Sequence, residues 1–578
     1  MEMINIKIND KPVSVPKGYT ILDAAREVGI HIPTLCYLKD INEIGACRMC
    51  LVEIKGARAL QAACVYPVSE GLEIYTNSPQ VRAARKATLE LILSNHERKC
   101  LTCIRNRNCE LQNLCEELGI EDIPYDGENI HYELDTSSPS LVRDNNKCVL
   151  CRRCIAACKN QTISVIDCIE RGFNTHIGSH FEKPINDVSC IYCGQCIVSC
   201  PVGALYEKND IPQVMEAIDN SEKHVVVQTA PAVRAALGEE FGLPIGTPVT
   251  GKMVAALRRL GFDKVFDTDT GADLTIMEEG TEFIERFTAQ KNLPLITSCS
   301  PGWVKFCEHN YPEFLNNLSS CKSPMEMFGA VIKSYYADKA GINKDDIYSV
   351  AIMPCTSKKF ESSREEMNSS GSRDIDASLT TRELARMIKQ AGIDFVNLPD
   401  EEFDQPFGEA TGAGVIFGTT GGVMEAAIRT VYEILEGKPL DNINVEAVRG
   451  LDGVKEATLK IAGKDVKIAV AHGIKNAREV LEKVKAGEKY DFIEIMACPG
   501  GCINGGGQPI VDARTKATVD VKALRAKALY TEDERATLRK SHENPNIDLL
   551  YKDFFEKPGS HKAHKLLHTH YTDRSNIK

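Results

Sequence analysis

The chain has 578 residues, 43% of them hydrophobic and 26% charged, with a net charge of −12 at neutral pH. Domains run to about 150 residues, so several units are expected, and the composition is that of folded globular protein. The acidic balance argues against nucleic acid as a partner, because phosphate binding draws its affinity from a basic surface that releases counterions. At the N-terminus no basic segment leads into an apolar run, so no secretory signal is read there. No stretch reaches the ~18 apolar residues of a membrane span. A cytoplasmic protein without membrane contact is expected, and in that reducing compartment the 23 cysteines should bind metal rather than form disulfides.

Ile4, Ile6 and Ile8 alternate with polar residues, Asn9-Asp10 supplies a turn, and Val13 and Val15 resume the alternation, which predicts a two-stranded hairpin. A helix capped by Thr20 follows, with Ile21, Ala24, Ala25 and Val28 on one face. Next come Cys36, then Cys47 and Cys50 at C-x2-C spacing after the Gly45-Ala46 bend, then Cys64. Four thiolates suit either tetrahedral zinc or a 2Fe-2S cluster. Residues 1–80 resemble the β-grasp, plant-type 2Fe-2S module, with a longer gap between the first two cysteines.

His96, Cys100, Cys103 and Cys109 lie in a basic stretch from Arg82 to Arg107 expected to be helical, within a unit spanning 81–126. One imidazole and three thiolates fit a zinc site or a His-ligated 4Fe-4S cluster. A place between two electron carriers favours the cluster, whose potential neutral imidazole would raise. Within residues 127–209, Cys148-x2-Cys151-x2-Cys154-x3-Cys158 and Cys190-x2-Cys193-x2-Cys196-x3-Cys200-Pro201 repeat one design. It is the ferredoxin signature of two 4Fe-4S clusters in which the fourth cysteine of each run ligates the other cluster. The expected ligand sets are Cys148, Cys151, Cys154 with Cys200, and Cys190, Cys193, Cys196 with Cys158. Cys115 and Cys168 read as small buried hydrophobes.

From about residue 210, short apolar runs alternate with amphipathic stretches: His224 to Val227, Val265-Phe266, Leu295-Ile296, Val350 to Ile352 and Phe492 to Ile495. This predicts an α/β architecture for 210–578. Cys299, Cys355 and the pair Cys498 and Cys502 fall just past three of these runs. Strand carboxyl ends border the ligand crevice of open α/β sheets, so a metal site drawing thiolates from three segments is expected. Glu279, Glu282 and Arg286 share one face if Thr275 to Phe287 is helical, and alone they read as a solvated charged face. The glycines Gly412 to Gly414 and Gly418 to Gly422 fit no nucleotide motif. His561, His564, His568 and His570 read as satisfied or solvated histidines, and Cys307 and Cys321 as structural thiols.

Thr297-Ser298-Cys299-Ser300-Pro301-Gly302-Trp303, the segment Met353 to Glu361 and the segment Glu494 to Gly507 resemble the three signature motifs of FeFe hydrogenases. The four-site N-terminal layout resembles the clostridial monomeric type, so the resemblance spans nearly the whole chain. It implies an α+β multidomain protein: β-grasp 2Fe-2S module, His-ligated 4Fe-4S module, bacterial two-4Fe-4S ferredoxin module, and α/β catalytic domain. The implied activity is reversible reduction of protons to H2 with electrons from ferredoxin or flavodoxin. The implied cofactors are one 2Fe-2S cluster, three 4Fe-4S clusters and the H-cluster. The last is a 4Fe-4S cubane joined through a cysteine thiolate to a diiron unit with CO, cyanide and azadithiolate, which maturation proteins must supply.

By the same resemblance Cys502 is the bridging thiolate, and Cys355 and Cys498 are cubane ligands. Glu279, Glu282, Arg286 and Ser319 pass protons between the surface and Cys299. Lys358 donates to a diiron cyanide, and Pro231, Met353, Phe417 and Met496 pack round the diiron unit. The family's first motif reads Cys-Cys where this chain has Cys299-Ser300. The fourth cubane ligand is therefore open between the Ser300 oxygen, Cys299 and no protein ligand. Two other readings stand beside this one. One is a hydrogen-activating subunit of an NAD-linked bifurcating complex with its flavin on a separate chain. The other is a hydrogenase-like iron-sulfur scaffold or sensor.

Overall fold

The computed structural model describes residues 2–125 and 127–576; the expected boundary at 126 falls on a residue outside them. Strand Met3–Ile8 pairs antiparallel with Lys11–Pro16, with Ile4 opposite Val15 and Ile6 opposite Val13. Asn9 and Asp10 take φ of 51° and 64°, the backbone that matches a two-residue turn to the strand twist. Met3–Ile8 also runs parallel to Glu73–Tyr75, which pairs with Leu51–Ile54, completing a five-stranded sheet. Its inner face shares one core with helix Ile21–Glu27, which Thr20 and Asp23 cap reciprocally. The helix stops at Glu27, so Val28 leaves the expected apolar face and is exposed.

The stretch from Arg82 to Arg107 is not one helix. Helix Pro79–Ser94 starts from its Ser78 cap and ends before His96; only a 3-10 turn, Cys100–Thr102, precedes helix Glu110–Glu117. A continuous helix would carry Cys109 to nearly the opposite face from His96, whereas a loop lets the four groups turn toward one point. Helices Arg153–Asn160 and Gln195–Ser199 carry the paired cysteine runs and pack together, and Leu141–Arg143 pairs with Leu205–Glu207 to close the unit. Cys115 and Cys168 are half-buried at its edge rather than buried in its core.

Beyond residue 210 every apolar run is a strand. Lys264–Asp267, His224–Thr229, Ile347–Met353 and Ala377–Thr380 form a parallel sheet in that order. A second sheet orders Leu295–Ile296, Phe492–Met496, Lys464–His472 and Val454–Ile461, parallel except for its terminal hairpin. Val225, Val226 and Val227 are all buried, as expected of strands covered on both faces. The long helix Thr268–Ala289 packs against helices Pro324–Val331 and Gly422–Glu436. Among the described residues no helix is long and apolar enough to cross a membrane.

Candidate active site

Four strand ends open on one pocket. Ala230 and Pro231 follow the first, Cys299 and Ser300 the second, Pro354 and Cys355 the third, and Ala497 and Cys498 the fourth, with Cys502 close by. The cavity holds about 90 Å³, far more than the gaps a close-packed interior tolerates. Its other walls are mostly apolar, with Pro231, Met325, Met353, Phe417 and Met496 among them, beside Thr268, Ser357 and Lys358. None of the 23 cysteines forms a disulfide. Burial pushes the Cys502 thiol up to about 12 and Cys498 well above its usual range, so these groups become thiolates only when a metal displaces the proton. Three soft sulfur donors converging on a dry void fit an iron-sulfur group.

Cys299 and Ser300 face different neighbours. Ser300 Oγ accepts the Ala497 N–H at 3.2 Å and so stands with the Cys498 segment. Cys299 is half-buried beside Glu279, Cys502 and Lys358, and loss of solvent first, then the Glu279 charge, raises its thiol well above the usual range. Lys358, which could have been a surface lysine, lines the pocket and donates to Glu361 Oε2 at 2.6 Å and to the Cys299 carbonyl at 3.3 Å. Burial works to discharge it, but Glu361 outweighs burial and holds it protonated.

Sequence reasoning missed Glu494. Its carboxylate accepts the N–H groups of Gly421 at 2.6 Å and Met424 at 2.7 Å, at the start of helix Gly422–Glu436. Helix N-termini favour such a charge, and the bond pins the strand end that leads to Cys498. The glycine run before this helix serves packing: Gly421 has φ of 87°, and a Cβ there would lie 1.9 Å from the Val448 carbonyl.

A file of polar groups leads outward from Cys299. Helix Thr268–Ala289 aligns Glu279, Glu282 and Arg286 on one face. Glu279 is buried, and burial raises its carboxyl to about 8 despite a bond with Ser319. Ser319 Oγ donates to Glu282 Oε2 at 3.1 Å. A hydroxyl has one proton to give, so Ser319 serves one carboxylate at a time, and the raised carboxyl keeps Glu279 protonated at neutral pH. Glu282 pairs with Arg286 at 2.6 Å, and both reach partial exposure.

The cysteines of the first half lie in groups of near neighbours. Cys36 and Cys47 lie side by side, each backbone N–H aimed at the other's sulfur at 3.3 and 3.5 Å, and Cys50 Sγ lies 3.3 Å from Cys64 Sγ. Two pairs suit two irons. A mononuclear zinc site needs its ligand atoms within ~4 Å of one another. Among the described residues one triad of such side chains lies within 4.8 Å, Glu282, Cys321 and His568, so every predicted cysteine group is spaced wider than zinc requires. His96 Nδ1 is buried without a hydrogen-bond partner, and burial lowers its pKa, leaving a neutral imidazole. Cys148, Cys151, Cys154 and Cys200 line one cavity, while Cys158, Cys190, Cys193 and Cys196 neighbour one another.

Direct contacts join these sites. Asn42 Nδ2 donates to the carbonyls of Cys36 at 2.8 Å and Cys151 at 3.1 Å. Arg153 donates to the carbonyls of Cys36 at 3.4 Å and Tyr37 at 2.9 Å while forking onto Glu110. From the His96 unit, Arg105 donates to the Cys200 carbonyl at 3.4 Å. At the far end Thr356 Oγ1 donates to the Tyr192 carbonyl at 2.6 Å, Ser357 Oγ to that of Ile191 at 3.1 Å, and Cys193 lines the pocket itself. Gly506 permits this approach, since a Cβ there would meet the Cys193 carbonyl at 2.2 Å.

Cysteine-bearing segments tied to one another by hydrogen bonds, finishing at a largely apolar pocket with its own polar file, define an iron-sulfur oxidoreductase. Residues 223–506 match the iron only hydrogenase large subunit, C-terminal domain, and residues 519–574 the iron hydrogenase small subunit. Residues 1–79 match a 2Fe-2S iron-sulfur cluster binding domain, 85–124 the NADH-ubiquinone oxidoreductase-G iron-sulfur binding region, and 147–204 a 4Fe-4S dicluster domain. The chain is 50% identical to the NADP-reducing hydrogenase subunit HndD of Solidesulfovibrio fructosivorans over 100% of both. It is 45% identical to iron hydrogenase 1 of Clostridium pasteurianum over 98% of this chain and 100% of that one. The structure of a variant of [FeFe]-hydrogenase HydA1 from Chlamydomonas reinhardtii superposes with a TM-score of 0.56 at 43% identity, covering 63% of this chain and 99% of that one. The chain belongs to the iron-only, or FeFe, hydrogenase family and is an oxidoreductase acting on H2.

Proposed function

We propose that electrons enter this hydrogenase through either of two N-terminal clusters, meet at a third, and pass through a fourth to the pocket. The entering clusters are a 2Fe-2S centre on Cys36, Cys47, Cys50 and Cys64 and a 4Fe-4S centre on His96, Cys100, Cys103 and Cys109. The meeting point is the 4Fe-4S centre of Cys148, Cys151, Cys154 and Cys200, and the last step runs through that of Cys158, Cys190, Cys193 and Cys196. Cys355, Cys498 and Cys502 would hold the H-cluster, with the Ser300 hydroxyl as the remaining ligand. When bound, that group supplies the redox chemistry that joins two protons and two electrons into H2 or separates them. The chain's residues do the rest. Glu282 takes protons from the surface beside Arg286, Ser319 relays them, Glu279 stores one, and Cys299 delivers it at the pocket wall. Lys358 supplies a fixed positive charge that orients an anionic ligand, and Pro231, Met353, Phe417 and Met496 exclude water. Ferredoxin or flavodoxin is the partner, in the cytoplasm, and maturation proteins supply the diiron unit, because no side chain is a source of CO or cyanide.

The observation that carries this reading is the unbroken series of contacts: Asn42 and Arg153 on one arm, Arg105 on the other, and Thr356 with Cys193 at the exit. Cys148→Ala in fully loaded protein tests it. H2 evolution driven by reduced ferredoxin should be lost while evolution driven by a small dye that reaches the inner clusters persists; ferredoxin-driven turnover at the parent rate would refute the route. A second reading has support from the relative that is 50% identical over its whole length and is a subunit of an NADP-reducing hydrogenase. In it, this chain is the hydrogen-activating subunit of a pyridine-nucleotide-linked complex. Copurification with a flavoprotein and H2-dependent reduction of NAD or NADP would establish it.

A further inference from the structure

We propose that Glu282, Cys321 and His568 form a binding site for one divalent cation of the zinc class, set across the outer end of the proton file. The sequence gives only a weak sign of it, since Cys321 reads as a structural thiol near Ser319 and His568 as one of several satisfied or solvated histidines. The fold brings them together from three separate elements. Glu282 projects from helix Thr268–Ala289, and Cys321 and His568 are held opposite each other by an isolated β-bridge.

Their ligand atoms lie within 4.8 Å of one another, and Cys321 Sγ is 3.9 Å from Glu282 Oε2. Bonds of ~2.0 to 2.3 Å to a common ion need separations of ~3.3 to 3.8 Å, so a shift of about an ångström completes the site. Sulfur, nitrogen and carboxylate oxygen together are donors that zinc accepts and that magnesium and calcium do not seek. The surroundings are those of a ligating histidine. Glu278 Oε2 lies 3.1 Å from His568 Nε2, and Tyr551 in turn donates to Glu278 at 2.6 Å; a carboxylate behind the ring orients the imidazole. The other nitrogen, Nδ1, faces the Ser320 hydroxyl at 2.8 Å, a rotor that turns aside for a cation. His564, exposed and stacked on His568 with ring centres 4.0 Å apart, marks the way in from solvent.

Occupancy has a consequence for turnover, and this half rests on the proton role proposed for Glu282. The Oε2 atom near Cys321 is the atom that accepts from Ser319. A cation there takes the lone pairs the relay needs while leaving the clusters and the pocket untouched.

The test titrates fully loaded enzyme with zinc while following H2 evolution, and records zinc-edge X-ray absorption, which the iron does not obscure. Expected are one zinc per chain with a single sulfur neighbour at about 2.3 Å, turnover falling in step with occupancy, and recovery on adding EDTA. His568→Gln and Cys321→Ala should each keep turnover and lose zinc sensitivity at least tenfold. A zinc shell without sulfur, or unchanged sensitivity in both variants, overturns the site. Zinc bound through one sulfur with turnover unaffected overturns the throttle and removes Glu282 from the proton route.

Discussion

The two halves of this molecule assemble metal sites by opposite means. In the first 209 residues most ligands of a cluster lie within a dozen positions of one another, as Cys148, Cys151 and Cys154 do, and short loops and helices present them. In the second half the proposed ligands, Ser300, Cys355, Cys498 and Cys502, meet only because strand ends far apart in sequence open on one crevice. Local spacing makes a cluster site a separable unit, while a site built by a sheet depends on packing far from the metal. The difference predicts that the same kind of damage has local effects in one half and global effects in the other.

The largest effect should come at the proton file, which the catalytic half alone possesses. Glu279→Gln should lower H2 evolution by ~10² to 10⁴-fold, the usual worth of a positioned proton donor, with iron content unchanged. Because burial raises this carboxyl to about 8, it is protonated below that pH and ionised above it. H2 evolution in the parent should therefore fall as pH rises through about 8, and the Gln variant should lack that inflection. The same raised value means folding stability declines between the ordinary carboxyl value of 4.5 and about 8, a slope that chemical denaturation of the Gln variant should lack.

Next in size, Arg153→Met should expose how the wire half is held together. Arg153 is buried and forks onto Glu110 while holding the Cys36 loop. Leaving a partner charge unpaired in such a place costs ~3 to 5 kcal/mol. The expected result is loosened docking of the 2Fe-2S unit, seen as faster amide exchange around Cys36, with dye-driven turnover retained. Gly506→Ala should do the reverse, slowing electron delivery to the pocket while the N-terminal units stay intact, because its Cβ would displace the Cys193 carbonyl. The smallest change is Ser300→Cys. Thiolate suits iron-sulfur iron better than hydroxyl oxygen, so the variant should retain more pocket iron during gel filtration and shift the cubane potential; identical behaviour would mean Ser300 Oγ serves only the Ala497 N–H.

Much of this was legible in advance, for reasons of range. The hairpin register, the Thr20 cap and five of the eight strands in the two sheets beyond residue 210 follow from periodicity within a few residues. Val28 left the helix face because left-handed Gly29, at φ of 72°, ends the helix there, and the helix expected through Arg107 gave way to a loop around its ligands. Glu494 beneath helix Gly422–Glu436, Glu361 behind Lys358, Arg105 on the Cys200 carbonyl and Cys321 opposite His568 were invisible. Each joins stretches with no shared period, and a polar side chain reads alike whether it meets water or a buried partner.

Freeze-quenched electron paramagnetic resonance after mixing fully loaded, oxidised enzyme with H2 tests the convergent wire most directly. Reduction should appear first at the cluster of Cys158, Cys190, Cys193 and Cys196, then at that of Cys148, Cys151, Cys154 and Cys200, and last at the two N-terminal clusters. Reduction of either N-terminal cluster ahead of the Cys148 cluster would contradict the account.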